Sequence, residues 1–171
     1  MRIVQVRALI VMGILAVVAV ITSWYAIVND TQTAAGREMC SPGDIPVDIE
    51  LPEEKDINVK VLNSTDNSGL AESASESLEE YGFNIEETGN SKDELDVAVL
   101  ISYGPKAVAG GHLLRAYFAD PSVDFSLDND TDYVKVTLGP GFQQVNTKSD
   151  ARIALSIIGR PEAPEGTCPI E

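Results

Sequence analysis

The chain reads as a two-layer α/β sandwich, with a mixed sheet of about four to five strands carrying two main helices on one face in a split βαβ-like order. A single transmembrane helix is expected ahead of it. Three observations predict this. Residues 59–83 pass from alternating apolar positions through a small polar turn into an amphipathic helix. Residues 95–102, LDVAVLIS, are nearly all apolar, as in a strand buried on both faces. Residues 8–28 carry no charge over a length that crosses a bilayer as a helix. An open, mainly parallel sheet is the competing arrangement.

Arg2 and Arg7 precede the apolar run, Trp24 and Tyr25 stand near its outer end, and Asn29 and Asp30 follow. The positive-inside rule puts residues 1–7 in the cytoplasm and everything after the 8–28 anchor outside, a single-pass protein of the cell membrane. A cleaved signal peptide would have a shorter apolar core and a nearby small-x-small site, whereas Ala34-Ala35-Gly36 comes late. Cys40 lies too far past the run for a lipoprotein signal. Residues 29–56 hold Pro42, Pro46 and Pro52 without sustained periodicity and read as a partly extended spacer.

The folded domain is expected over 57–159. Val59 and Val61 mark its first strand. Leu70, Ala74, Leu78 and Tyr81 then recur at helical spacing with Glu72, Glu76, Glu79 and Glu80 opposite, and Gly82 stops the helix. Residues 83–87 form a second strand, joined through the polar stretch 89–94, short enough for a hairpin, to the central strand 95–102. Pro105 suits a helix start, and a helix over 106–119 would use Gly110-Gly111 to approach the sheet closely, since each costs on the order of 1 kcal/mol against Ala. Strands at 123–127 and 133–138 flank an acidic turn. A last helix at 151–158 has Thr147 or Ser149 as its cap, and 160–171 is a Pro-rich tail.

Apolar residues make up 44% of the chain, enough for a core. The net charge is −15, and beyond the apolar run ten bases face 27 acids. That balance argues against nucleic acid and against direct contact with anionic lipid heads. Cys40 and Cys168 flank the domain, and in an oxidising compartment two thiols point to one disulfide, tying the tail back to the linker. One His and no paired CxxC spacing leave no zinc site and no implied cofactor.

Three Gly-rich loops follow core strands: 63–69, 103–106 and 139–142. If their strands run parallel, the loops gather on one sheet edge, the usual crevice of α/β folds, with Asn63, Thr65, Ser68, Gly69, Tyr103, Gly104 and Lys106 as candidate ligand contacts. The bland alternative is that βα units simply require such turns. Asp128, Asp130 and Asp132 alternate as in a calcium loop, but Tyr133 and Gly139 stand where that loop needs Gly and Glu, so a solvated hairpin turn is expected. His112 has no nucleophile or carboxylate at an identifying spacing and reads as a surface or half-buried structural His. Asn63-Ser64-Thr65 formally fits a glycosylation sequon.

The stretch VKVLNSTDNSGLAESASESLEEYGFNIEETGN resembles the opening of the LytR C-terminal domain: a strand, Asn-x-(Ser/Thr)-x-x-Ser-Gly-Leu-Ala, a helix, then Gly-Phe and a strand. YGPKAVAGGHLLRAYF and VKVTLGPGF match that family's later Tyr-Gly-Pro and Leu-Gly-Pro blocks, so the resemblance spans 58–142. It implies an extracytoplasmic, non-catalytic domain that helps maintain a mycobacterial-type envelope. In related proteins such a domain accompanies a phosphotransferase that links glycopolymers to peptidoglycan; the stretch between Val28 and Ile57 has no room for one. The implied partners are a cell-wall glycopolymer or an envelope-assembly protein, a LytR-type phosphotransferase among them. Competing readings are a small wall hydrolase or transferase, which needs converging catalytic groups, and a cation-responsive sensor built on the acidic turn.

Overall fold

A computed structural model describes residues 12–13, 15–22 and 40–170. Residues 12–13 and 15–22 are helical, and no described helix is long and apolar enough to cross a membrane. Most of the expected 8–28 anchor, with its flanking arginines and aromatics, lies outside the described residues. The second unit begins at Cys40 and is described by itself below.

That unit is a mixed α/β domain. Its strands are β1 (Ile45–Asp48), β2 (Asn58–Asn63), β3 (Asn84–Asn90), β4 (Val99–Tyr103), β5 (Ser122–Phe125), β6 (Tyr133–Leu138) and β7 (Thr167–Ile170). Its α-helices are α1 (Leu70–Tyr81), α2 (Val108–Arg115) and α3 (Lys148–Ile158). Five strands form one sheet in the order β3-β2-β6-β4-β5, and β1 pairs with β7 in a separate parallel ribbon. Strands β2, β3 and β6 run together, whereas β4 and β5 run the other way.

The sheet is therefore two βαβ units pointing in opposite directions, β2-α1-β3 and β4-α2-β5, with β6 between them. The expected split βαβ order is corrected: each crossover joins adjacent strands, and the late strand separates the units. Burial explains the choice. Val134, Val136 and Leu138 of β6 are fully buried and complete a row with Val61 and Ile101, while β3 is mostly exposed and stays at the edge. Glu86 and Glu87 and a register shift opposite Val59 and Lys60 blunt that edge.

The expected hairpin between the second and central strands is also absent. The chain leaves β3, crosses the ends of β2 and β6 through 91–98, and enters the sheet only at Val99. Likewise 126–132 is no hairpin turn, because β4 lies between β5 and β6.

Helix α1 buries Ala71, Ala74, Ser75 and Leu78 and ends at Gly82, whose φ of 105° is left-handed. Helix α2 is shorter than expected; a 3-10 turn, Pro105–Ala107, precedes it, and the chain leaves helix after Arg115. Its glycines do allow close approach: a Cβ on Gly111 would run into the Tyr103 ring, and one on Gly110 would meet Ile57 at 3.3 Å. Thr147 caps α3, its Oγ1 accepting from Asp150 N at 3.2 Å. Residues 45–48 and 167–170, expected as spacer and tail, instead pair as strands beside the Cys40–Cys168 disulfide, whose Cα atoms are 5.4 Å apart. Val47 seals the core from that ribbon at 1% exposure.

Candidate functional site

The strand directions divide the three loops. Residues 63–69 and 139–142 follow β2 and β6 and share one edge; 103–106 follows antiparallel β4 and lies on the opposite edge. The single crevice expected from parallel strands is thus not formed, because β4 pairs antiparallel to β6.

On the first edge the polar groups serve the fold. Asn63 is buried, and its Oδ1 accepts from Thr65 N at 3.0 Å and from Thr65 Oγ1 at 2.9 Å. Its Nδ2 donates to Asn67 O at 2.7 Å, so the sequon amide is already engaged inside the loop. Thr65 Oγ1 in turn accepts from Asn67 N at 3.2 Å. Gly69 holds φ 85° at the helix entry, the left-handed region that favours glycine, and Ser68 beside it is exposed. Segment 91–98 lies across this edge: Ser64 Oγ donates to Asp93 O at 2.6 Å, and Gly139 N donates to Ala98 O at 2.9 Å. A Cβ on Gly139 would strike the Val97 carbonyl. The place where parallel α/β folds hold ligands is here filled by chain.

On the opposite edge Tyr103 is a core residue, its ring 5.8 Å from that of Phe125, and burial raises its pKa. Gly104 is required because a Cβ would strike the Asn129 carbonyl of the crossing segment. Asn129 Oδ1 accepts from Thr131 N at 3.2 Å and Thr131 Oγ1 at 2.7 Å, repeating the Asn63–Thr65 turn. Lys106 is exposed, and its Nζ meets Asp130 Oδ1 at 2.8 Å. That hydrogen bond and charge raise the Lys106 pKa. Lys106 also lines a small cavity of about 140 Å³ with Asp48, Glu50, Asp56 and Asp132. No group of three or more His, Cys, Asp or Glu among the described residues could hold a metal ion.

His112 is buried, not surface-lying, and its Nε2 is 3.0 Å from Gly159 O at the end of α3. It is thereby committed to helix packing.

A third feature was not among the sequence expectations. After β6 the chain returns as a strap, 142–147, alongside α1. Between them lies a groove of about 270 Å³ lined by Ser73, Ser77 and Tyr81 of the helix and Phe142, Gln143 and Gln144 of the strap, over a floor that includes Ala74 and Val145. The strap is fixed: Val145 is buried, Asn146 N donates to Tyr117 O at 2.8 Å, and Asn146 Nδ2 donates to Ala116 O at 3.0 Å. Only the spacing of small residues along α1 hinted at the groove, and that spacing also serves ordinary packing.

Fold and loops together define a small mixed α/β domain whose Gly- and Asn-rich turns lock crossing segments onto both sheet edges. The family model described as LytR cell envelope-related transcriptional attenuator matches residues 56–142, just over half of the chain. The chain belongs to this LytR C-terminal family. No curated protein matches it. A solved structure with the same fold is the soluble domain of a conserved hypothetical secreted protein from Mycobacterium marinum, at 20% identity and a TM-score of 0.53. That match covers 67% of this chain and 83% of the other.

Proposed function

We propose that this chain is a membrane-anchored, extracytoplasmic and non-catalytic protein that contributes to cell-envelope integrity by holding a wall component or a wall-assembly partner. The observation that carries the reading is the family match, which spans the sheet and both βαβ units and belongs to a cell-envelope-related family. The charge pattern supports the orientation: Arg2 and Arg7 precede the uncharged run, and the 27 acids all follow it. The same acidity disfavours the nucleic-acid role in the family's description, since there is little cationic charge to neutralise phosphates.

Catalysis would need a nucleophile, a base and an orienting group within reach of one another. The groups best placed by sequence are otherwise engaged: Asn63 and Thr65 with each other, His112 with Gly159 O, Lys106 with Asp130. The test is retention. Full-length protein in detergent, immobilised on beads, is incubated with purified wall fragments and with membrane extract. Retention of wall material or of a distinct membrane protein above an acidic control protein is expected. No retention from either fraction overturns the reading.

A further inference from the structure

We infer that the groove between α1 and the strap 142–147 is a binding site for a neutral, hydroxyl-rich ligand such as a saccharide ring. This deepens the wall-binding reading and rests on it.

The groove is uncharged in a strongly acidic protein. The chain has 27 acids and 12 bases, yet no residue lining this groove is an acid or a base. The neighbouring face of α1 carries Glu72, Glu76, Glu79 and Glu80, all exposed. An anionic ligand would be repelled on approach, and a cationic one would find no carboxylate inside. Lys148 stands at the rim, its ammonium 5.9 Å from the Tyr81 ring centroid.

The lining chemistry suits sugar hydroxyls and ring faces. Ser73, Gln143 and Gln144 are exposed and offer hydroxyl and amide groups that both donate and accept, the pairing that sugar hydroxyls require. Tyr81 and Phe142 offer ring surface for the C–H face of a pyranose. Ser77 Oγ is turned back onto Ser73 O at 3.0 Å, which leaves its side of the groove low and open. At about 270 Å³ the space sits just below the roughly 300–1,000 Å³ typical of small-molecule sites, which fits one ring of a longer chain.

The groove is also preorganised. Buried Val145 and the two Asn146 hydrogen bonds hold the strap in place, so binding does not require it to order. Of the strap only Phe142 falls within the family match, whereas the helical wall of the groove lies wholly inside it.

The test uses full-length protein in a non-glycosidic detergent, titrated with cellobiose, chitobiose and mannobiose and followed by saturation-transfer NMR. Inorganic phosphate and tri-alanine serve as controls. At least one saccharide should bind in the millimolar range or tighter, with neither control binding. Ser77→Leu, which fills the groove from a half-buried helical position, should weaken that binding at least about tenfold, a loss of about 1.4 kcal/mol. Gln144→Ala, on the exposed strap, should weaken it in the same direction and serves if Ser77→Leu fails to fold. Absence of saccharide binding, unchanged affinity in a folded Ser77→Leu or in Gln144→Ala, or competition by tri-alanine overturns the inference. Wall fragments retained equally by wild type and Ser77→Leu overturn the groove while leaving the wall-binding reading standing; fragments and extract both unretained by wild type remove that reading itself.

Discussion

Asn63 and Asn129 show how one short side chain closes a loop. Each accepts from the backbone N–H and the hydroxyl of the threonine two residues on. Glycines do the opposite work and admit what a side chain would exclude. Gly111→Ala gains roughly 1 kcal/mol of helix propensity but drives a methyl into the Tyr103 ring, and overpacking costs roughly 1–3 kcal/mol, so the variant should be net destabilised in urea unfolding. Gly110→Ala meets the Ile57 side chain at 3.3 Å and that of Val134 at 3.6 Å, contacts that small side-chain shifts relieve, and should be near neutral in the same measurement. Tyr117 supplies a pH signature. Burial first, then its hydrogen bond to Glu54 Oε1 at 2.8 Å, pushes its phenol well above the ordinary value of 10.0. A group with a raised folded pKa binds its proton more tightly when folded. Its stabilisation is therefore full below pH 10 and is lost as pH rises beyond it. Urea midpoints of wild type should fall above pH 10 more steeply than those of Tyr117→Phe, which lacks that proton; parallel slopes would refute the assignment.

At the scale of elements, the β1–β7 ribbon depends on distant parts of the chain meeting. Only four pairs join its strands, and a disulfide with a sequence separation of 128 stands beside them. For a loop that long the chain-entropy model gives a stabilisation of roughly 4–5 kcal/mol, an upper figure where the denatured state keeps structure. Cys40→Ser with Cys168→Ser should lower the thermal midpoint. It should also raise hydrogen exchange in 45–48 and 167–170 before the five-stranded sheet is affected. Uniform exchange across both sheets would show that the ribbon is not a separate cooperative piece. The crossing segments 91–98 and 126–132 are the other elements of consequence, because they occupy the sheet edges where ligands commonly sit.

For the molecule as a whole, function turns on which side of the membrane the acidic domain occupies. Intact cells treated with external protease should lose the domain, and the full chain should stay with the membrane pellet through a high-salt wash. Protection from protease in intact cells, together with reactive free thiols at Cys40 and Cys168, would place the domain in the cytoplasm and remove the envelope reading. Much of the fold was legible from residues alone. Alternation at 59–63, the strand at 133–138 and the helical spacing at 70–81 reappear in the structure, and of the two cap candidates, Thr147 and Ser149, it is Thr147 that caps the last helix. The family blocks were legible for the same reason, since turn chemistry is local. The sequence by itself determined the main elements between 58 and 158, the acidic balance and the two thiols, because propensity, charge and periodicity act over a few neighbouring residues. Only the tertiary structure decided that β6 lies between the units, that β4 runs antiparallel to it, and that the strap meets α1. Strand order and direction follow from which apolar faces complete one buried layer, a competition among segments far apart in the chain that no local pattern records.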